Sequence, residues 1–221
     1  MINKKELVPS LLAFDPNNWI NDFQIFKSNS IDYIHYDVMD KEYVGNTAFD
    51  KQEYQIFLNN NLGLKSHVHL MVLNPLKHID NYLCEQTDAI CFHFDTVSFD
   101  EAIICLNKIK AHNIKAGIAI SPNFSYSDFE KFLPYCNIVT IMGVYPGKGG
   151  QSFIESTINN IKSVVKYNLE NKTNIKIELD GGMNFETIPL IFSITDFVVA
   201  GSFLKKNIDK ISEIMKWFNS I

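Results

Sequence analysis

The chain has no arginine; each of its 20 basic residues is a lysine. Arginine's planar fork clamps carboxylates and phosphates through paired N–H donors, so its absence excludes that mode of anion binding. Any phosphate must be held by backbone N–H groups or by lysine. Long runs of one charge are also missing. The 20 basic and 25 acidic residues are scattered to a net charge of −5, leaving no electrostatic footprint for a polynucleotide. No stretch approaches the ~20 apolar residues of a membrane helix. The opening MINKKELVPSLLAF, broken by Pro9, lacks the apolar region and cleavage site of a secretion signal. Cysteine is sparse, and Cys84, Cys91, Cys105 and Cys136 form no CxxC pair and read as buried, reduced thiols. The expectation is a soluble, cytoplasmic protein that engages neither nucleic acid nor membrane.

What is present is apolar material, 46% of 221 residues, enough for one large core and one domain over residues 1–221. No Gly/Ser linker or low-complexity tract divides the chain. Short β-branched and apolar runs recur at 7–12, 33–38, 65–72, 88–94, 114–120, 137–142, 175–180 and 196–200. The segments between them carry helical spacing. It is clearest from Phe99 to Ile109, where Ala102, Ile103, Leu106 and Ile109 share a face, and from Ile208 to Trp217. Such alternation predicts right-handed βαβ units and a parallel sheet. Repeated eight times in this length, it fits an α/β fold of the closed (β/α)₈ type, a TIM barrel, better than an open doubly wound sheet.

In a parallel barrel the functional side chains sit at the C-terminal ends of the strands and in the loops that follow. His35 and Asp37 are two apart on the second strand, His67 and His69 two apart on the third, and Asp180 ends the seventh before Gly181 and Gly182. Residues at i and i+2 face the same way, so two histidines and two aspartates from three strands can converge. A mixed N/O set of this kind suits Zn, Fe, Mn or Co, whereas Ca and Mg favour oxygen alone. A lone histidine among apolar strand residues is otherwise a hydrogen-bonded core residue. The piece YPGKGGQSF at 145–153 follows the sixth strand, and its glycines let backbone N–H groups approach an anion. It reads as a phosphate cradle, with Lys148 either supplying positive charge or pointing to solvent. Gly201 and Ser202 after the eighth strand add donors where barrels often bind phosphate. Glycine also serves plain tight turns, so the weight falls on the loops taken together.

With VPSLLAFD near the start, IHYDVMD (34–40), HLMVLNP (69–75), VYPGKGGQSFI (144–154), LDGGMN (179–184) and VAGSFL (199–204), the chain resembles the ribulose-phosphate 3-epimerases over nearly its whole length. The resemblance implies a (β/α)₈ barrel of the ribulose-phosphate-binding type that interconverts ribulose 5-phosphate and xylulose 5-phosphate through one bound divalent metal, zinc being the expected occupant of a purified sample. It implies His35, Asp37, His69 and Asp180 as metal ligands, with Asp37 and Asp180 as the acid/base pair. Ser10, His69, Gly147, Lys148, Gly149, Gly150, Gly181, Gly182, Gly201 and Ser202 fall on substrate or phosphate contacts. Met39, Met71 and Met142 fall on methionines that line the metal pocket. A homo-oligomer, dimer or hexamer, is implied as well. The chemistry agrees, because inverting C3 beside a C2 ketone needs two acid/base groups on opposite faces of the carbon and stabilisation of the enediolate between them.

Several positions depart from that family's pattern. Lys41 stands where glycine usually follows DVMD, Gly45 where proline usually precedes Asn46, and Tyr145 and Lys148 replace the usual Asn and Phe around the PGxGG loop. His67 is expected to be structural or to support a neighbouring ligand, while His93 and Asp95 are expected to bound the pocket. His78 and His112 read as solvated helix residues. Two other readings remain open at this point: an epimerase of allulose 6-phosphate with the same mechanism, and a catalytically silent barrel that binds sugar phosphate.

Overall fold

The computed structural model describes residues 4–221. Met1 to Asn3, part of the opening in which no signal is read and of the domain expected over 1–221, lie outside the described residues. Eight strands form one parallel sheet: β1 (Glu6–Pro9), β2 (Tyr33–Met39), β3 (Lys65–Met71), β4 (Thr87–His93), β5 (Lys115–Ile120), β6 (Ile138–Met142), β7 (Lys176–Asp180) and β8 (Phe197–Ala200). Each falls on one of the runs read from the sequence. The strands pair in the order β1-β8-β7-β6-β5-β4-β3-β2, and the remaining gap between β1 and β2 is closed by a single parallel bridge from Ser10 to His35. The result is a nearly closed (β/α)₈ barrel whose loosest joint lies beside the polar strand ends.

The connections carry helices α1 (Trp19–Ser28), α2 (Lys41–Val44), α3 (Lys51–Asn60), α4 (Phe99–Lys110), α5 (Tyr126–Phe129), α6 (Ile158–Asn171), α7 (Ile188–Ile191), α8 (Ser202–Lys206) and α9 (Ile211–Phe218). Local sequence explains the firm ones. Helix α4 opens with a capping box in which Ser98 and Glu101 satisfy each other's backbone N–H, and α3 does the same with Asp50 and Glu53. Regular alternation fails in two places. Between β3 and β4 there are only 3₁₀ turns, Pro75–Lys77 and Ile79–Tyr82. Pro75 starts the first, and buried Ile79 and Tyr82 cover the sheet in place of a helix. Between β5 and β6, Pro134 sits inside a 3₁₀ segment that ends the short α5, because its ring removes a donor and crowds the preceding turn.

Period 2 along the strands divides the interior in two. Outward residues such as Ile34, Tyr36, Val68, Leu70, Ile90 and Phe92 pack against Phe23, Phe26, Phe57, Leu106 and Ile161 in the main apolar core. Inside the barrel a smaller apolar group, Val8, Ala89, Cys91, Ile138, Phe197 and Val199, shares the space with polar side chains. Those polar residues are concentrated on β2, β3, β4 and β7. Cys91, Cys105 and Cys136 are buried, Cys84 is half-buried, and all four are free thiols. No helix among the described residues is long and apolar enough to cross a membrane.

Candidate active site

Strand β2 pairs with β3 in register, His35 beside His67, Asp37 beside His69 and Met39 beside Met71, so the alternate residues of both strands form stacked layers inside the barrel. Strand β7 adds Glu178 and, one layer higher, Asp180. His35, Asp37, His69 and Asp180 each offer one atom, and the four atoms lie within 4.8 Å of one another. His35 Nε2 is 3.3 Å from Asp37 Oδ1 and 3.6 Å from Asp180 Oδ2, and His69 Nδ1 is 3.4 Å and 3.6 Å from the same two oxygens. Four ligands at bond lengths of about 2.0–2.2 Å around a tetrahedral first-row cation stand about 3.3–3.6 Å apart. The four imidazole–carboxylate spacings match such an ion, within a set spread over no more than 4.8 Å.

The hydrogen-bond account points the same way. His35 Nε2 and His69 Nδ1, both fully buried, have no hydrogen-bond partner, nor does His35 Nδ1; their contacts with the carboxylates are too long or too poorly aligned to count as bonds. A buried polar atom without a partner costs roughly 1–3 kcal/mol, so two nitrogens turned toward one point ask for a ligand there. Burial alone would lower the pKa of His35, but the carboxylates of Asp37, Asp180 and Glu178 raise it well above its ordinary value. His69 is likewise raised against its burial by Asp180 and Asp37. Asp37 is held far below the carboxylate range, its burial outweighed by His35 and His69. A cation bound here would compete with protons for the same nitrogens. On the side away from the cluster, Ser10 Oγ donates to Asp37 Oδ2 at 2.7 Å, which leaves Oδ1 to face the histidines.

A cavity of about 520 Å³ opens above this cluster. Asp37 and Asp180 reach its floor, with Ser10, Met39, Met71 and Met142 around them. Gly147, Lys148, Gly149, Gly150, Gly181, Gly182, Gly201 and Ser202 line its walls and rim. The cradle depends on glycine at Gly182, whose φ is +77° and where a Cβ would stand 2.7 Å from the backbone of Phe153. Ser202 Oγ lies near Gly149 and Gly150, which brings the loops after β6 and β8 together. Lys205 and Lys206 also line the cavity.

The structure places some of the expected residues away from the cavity wall. His69, expected to touch substrate, is completely buried and absent from the cavity wall, as is His35. His93, expected to bound the pocket, is also completely buried and lies behind His69, with the two Nε2 atoms 2.9 Å apart. Asp95 lines a smaller cleft with Tyr43 and Ser121 that adjoins the main cavity at Tyr145 and Pro146. Gly45 has φ +69°, a value proline cannot reach, so the loop after β2 takes a backbone path that the family's usual residue would forbid. From there Asn46 Nδ2 donates to Gly147 O at 3.1 Å, tying this loop to the glycine-rich one. The sequence reading missed Glu178, although it stands two residues before Asp180 on the same face of β7. Its carboxylate accepts from Thr140 Oγ1 at 2.9 Å and makes a short contact with His67 Nδ1.

An α/β barrel with two carboxylates and two unpartnered imidazole nitrogens at its C-terminal mouth, under a glycine-rich rim, has the layout of a barrel enzyme. Residues 6–205 match the profile of the ribulose-phosphate 3 epimerase family. The chain is 35% identical over 197 residues to ribulose-phosphate 3-epimerase of Mycoplasma genitalium, covering 89% of this chain and 88% of that protein. It is 31% identical over 214 residues to ribulose-phosphate 3-epimerase of Bacillus subtilis, covering 95% and 97%. The chain belongs to the ribulose-phosphate 3-epimerase family, and it is an isomerase. Among solved structures, a mutant tryptophan synthase α-subunit of Pyrococcus furiosus superposes with a TM-score of 0.67 at 15% identity, covering 100% of this chain and 97% of that one. That likeness concerns the barrel alone.

Proposed function

We propose that the chain inverts C3 of D-ribulose 5-phosphate to give D-xylulose 5-phosphate, with one divalent cation held by His35, Asp37, His69 and Asp180. The observation that carries this reading is the pair of carboxylates at the cavity floor sharing one cluster with two unpartnered imidazole nitrogens buried beneath it. A dication would balance the two carboxylates and satisfy both nitrogens at once. When bound, it supplies Lewis-acid polarisation of the C2 ketone and stabilises the negative charge that develops on oxygen.

The remaining work falls to the chain's own groups. One of Asp37 and Asp180 removes the C3 proton from one face of the sugar, and the other returns a proton to the opposite face of the planar intermediate. Positioned acid/base groups of this kind contribute about 10²–10⁴-fold each. The hydrogen bond from Ser10 fixes the rotation of Asp37. Met39, Met71 and Met142 surround the floor with apolar side chains, which keep water away from the exposed carbanion. Backbone N–H groups of Gly147 to Gly150 and Gly201 to Ser202, with Lys148, hold the phosphate at the rim, and no arginine is needed.

Proton exchange at C3 in deuterated water tests this reading, with ribulose 5-phosphate and allulose 6-phosphate supplied separately. Deuterium should enter C3 of the pentose, cease to enter after chelation, and enter again when manganese, cobalt or zinc is restored. Exchange confined to the hexose would reassign the substrate. Full exchange in the chelated protein would remove the cation from the reaction.

A further inference from the structure

The two imidazoles of the cluster differ in what stands behind them. His35 Nδ1 faces the carboxylate of Glu178 at 3.5 Å. His69 Nε2 instead meets another imidazole, Nε2 of His93, at 2.9 Å. His93 ends β4 and is completely buried, with its Nδ1 3.2 Å from Ser121 Oγ and the ring of Tyr43 at 4.9 Å between centroids.

Proton placement along this row is constrained. A histidine that offers Nδ1 to a cation must carry its ring proton on Nε2. His69 Nε2–H then donates to His93 Nε2, which must be bare. The proton of a neutral His93 must therefore sit on Nδ1, where it donates to Ser121 Oγ. The reverse arrangement, with His93 donating to His69, would put the His69 proton on Nδ1 and turn an N–H toward the aspartates in place of a lone pair. We propose that His93 is a positioning residue: by accepting from His69 Nε2–H and donating to Ser121, it holds His69 in the tautomer that leaves Nδ1 bare for the cation.

The surroundings suit a neutral acceptor. His93 is completely buried, and burial disfavours a charged ring. The nearest carboxylate, Asp95, is 3.9 Å from His93 Nδ1, too far to draw its proton away from Ser121. Packing against Tyr43 fixes the plane of the ring, so the acceptor has a set direction.

The inference rests on the cation reading of the cluster, and two measurements keep the two apart. Imidazole ¹⁵N shifts of the metal-free wild-type protein, recorded at mildly alkaline pH, should show the proton of His69 on Nε2 and that of His93 on Nδ1. The opposite pair of tautomers would overturn the inference without any substitution. Titration of metal-free protein with cobalt(II), followed by its visible spectrum, supplies the second measurement. His93→Leu should bind about 10–100-fold more weakly and with an altered spectrum, the usual cost of removing a partner behind a metal-binding histidine. His93→Gln, whose Oε1 can accept the same N–H, should recover affinity to within about threefold of wild type. Wild-type affinity in His93→Leu, or a Gln variant no better than Leu, would overturn the inference alone. A wild-type protein that binds no cobalt would overturn the cation reading beneath it.

Discussion

Two sets of buried imidazoles and carboxylates sit one above the other inside the barrel, and they are solved in opposite ways. In the lower set His67 contacts Glu178 through Nδ1 and Asp88 through Nε2 at 3.1 Å, and Asp88 accepts from Lys115 at 2.7 and 2.8 Å. The neighbouring carboxylates raise the pKa of His67 against its burial. With His67 protonated, two cations stand against two anions, and each ring nitrogen has a partner. In the upper set Asp37 and Asp180 raise the pKa of His35 and His69 in the same way, but the cluster-facing ring nitrogens have no hydrogen-bond partner. Buried polar atoms are tolerated when each has a partner, and a set that leaves ring nitrogens without one is completed by a ligand from outside. The lower set therefore reads as structure and the upper set as a receptor for positive charge, although both take a histidine from β3 and a carboxylate from β7.

The sharpest way to break this comparison is to remove a carboxylate from the upper set. Asp37→Asn keeps the shape of the side chain but takes away both a ligand charge and an acid/base group. Turnover should fall by about 10³-fold or more, within the range assigned to such groups, while the circular dichroism spectrum stays that of the wild type. Epimerisation at the wild-type rate would show that the upper set does no chemistry.

The lower set should respond in the opposite sense. His67→Leu leaves Glu178 and Asp88 without the cation between them, and breaking a buried ion pair by removing one partner costs about 3–5 kcal/mol. Urea denaturation should show a loss of that order, with cation affinity of the folded protein within about threefold of wild type. A stable variant with abolished cation binding would make His67 a ligand and merge the two sets. Cation binding itself should stabilise the wild type by about 2.7 kcal/mol at a hundredfold excess over Kd, read as a rise in Tm, and His67→Leu should keep that increment.

How far the sequence revealed this arrangement depends on the residue. The strands were readable because β-branched runs with inward polar residues every second position leave a period-2 mark, as in YIHYDVM for β2. The connection from β3 to β4 was not, since Pro75 and a short span replace a helix with 3₁₀ turns whose buried Ile79 and Tyr82 still give apolar spacing. The convergence of His35, Asp37, His69 and Asp180 was readable because each is polar at or near a strand end. Glu178 and His93 were not, for a physical reason: their importance lies in which atoms they face across the barrel. Glu178 sits within an apolar run, and His93 meets a histidine 24 residues away. The altered loop at Gly45 was visible as a departure, but its left-handed backbone and the tie from Asn46 to Gly147 became visible only in three dimensions.

The smallest expected effect concerns the outer end of the lower set. Burial would raise the pKa of Asp88, yet His67 and Lys115 hold it down at about 2, against 3.8 for a free carboxyl. A depressed carboxyl stabilises the fold above the unfolded value and loses that contribution as pH falls toward the folded one, here between about pH 4 and pH 2. The full shift would correspond to about 2.5 kcal/mol, but Asp88 is partly exposed, and solvent screening reduces this to about 1–2 kcal/mol. Urea titrations of the wild type and Asp88→Asn at pH 5 and pH 2 should therefore show a stability gap that narrows by about that amount on acidification. A gap of constant width would mean that the Asp88 charge is not held by His67 and Lys115. The lower set would then lack the internal balance that separates it from the upper one.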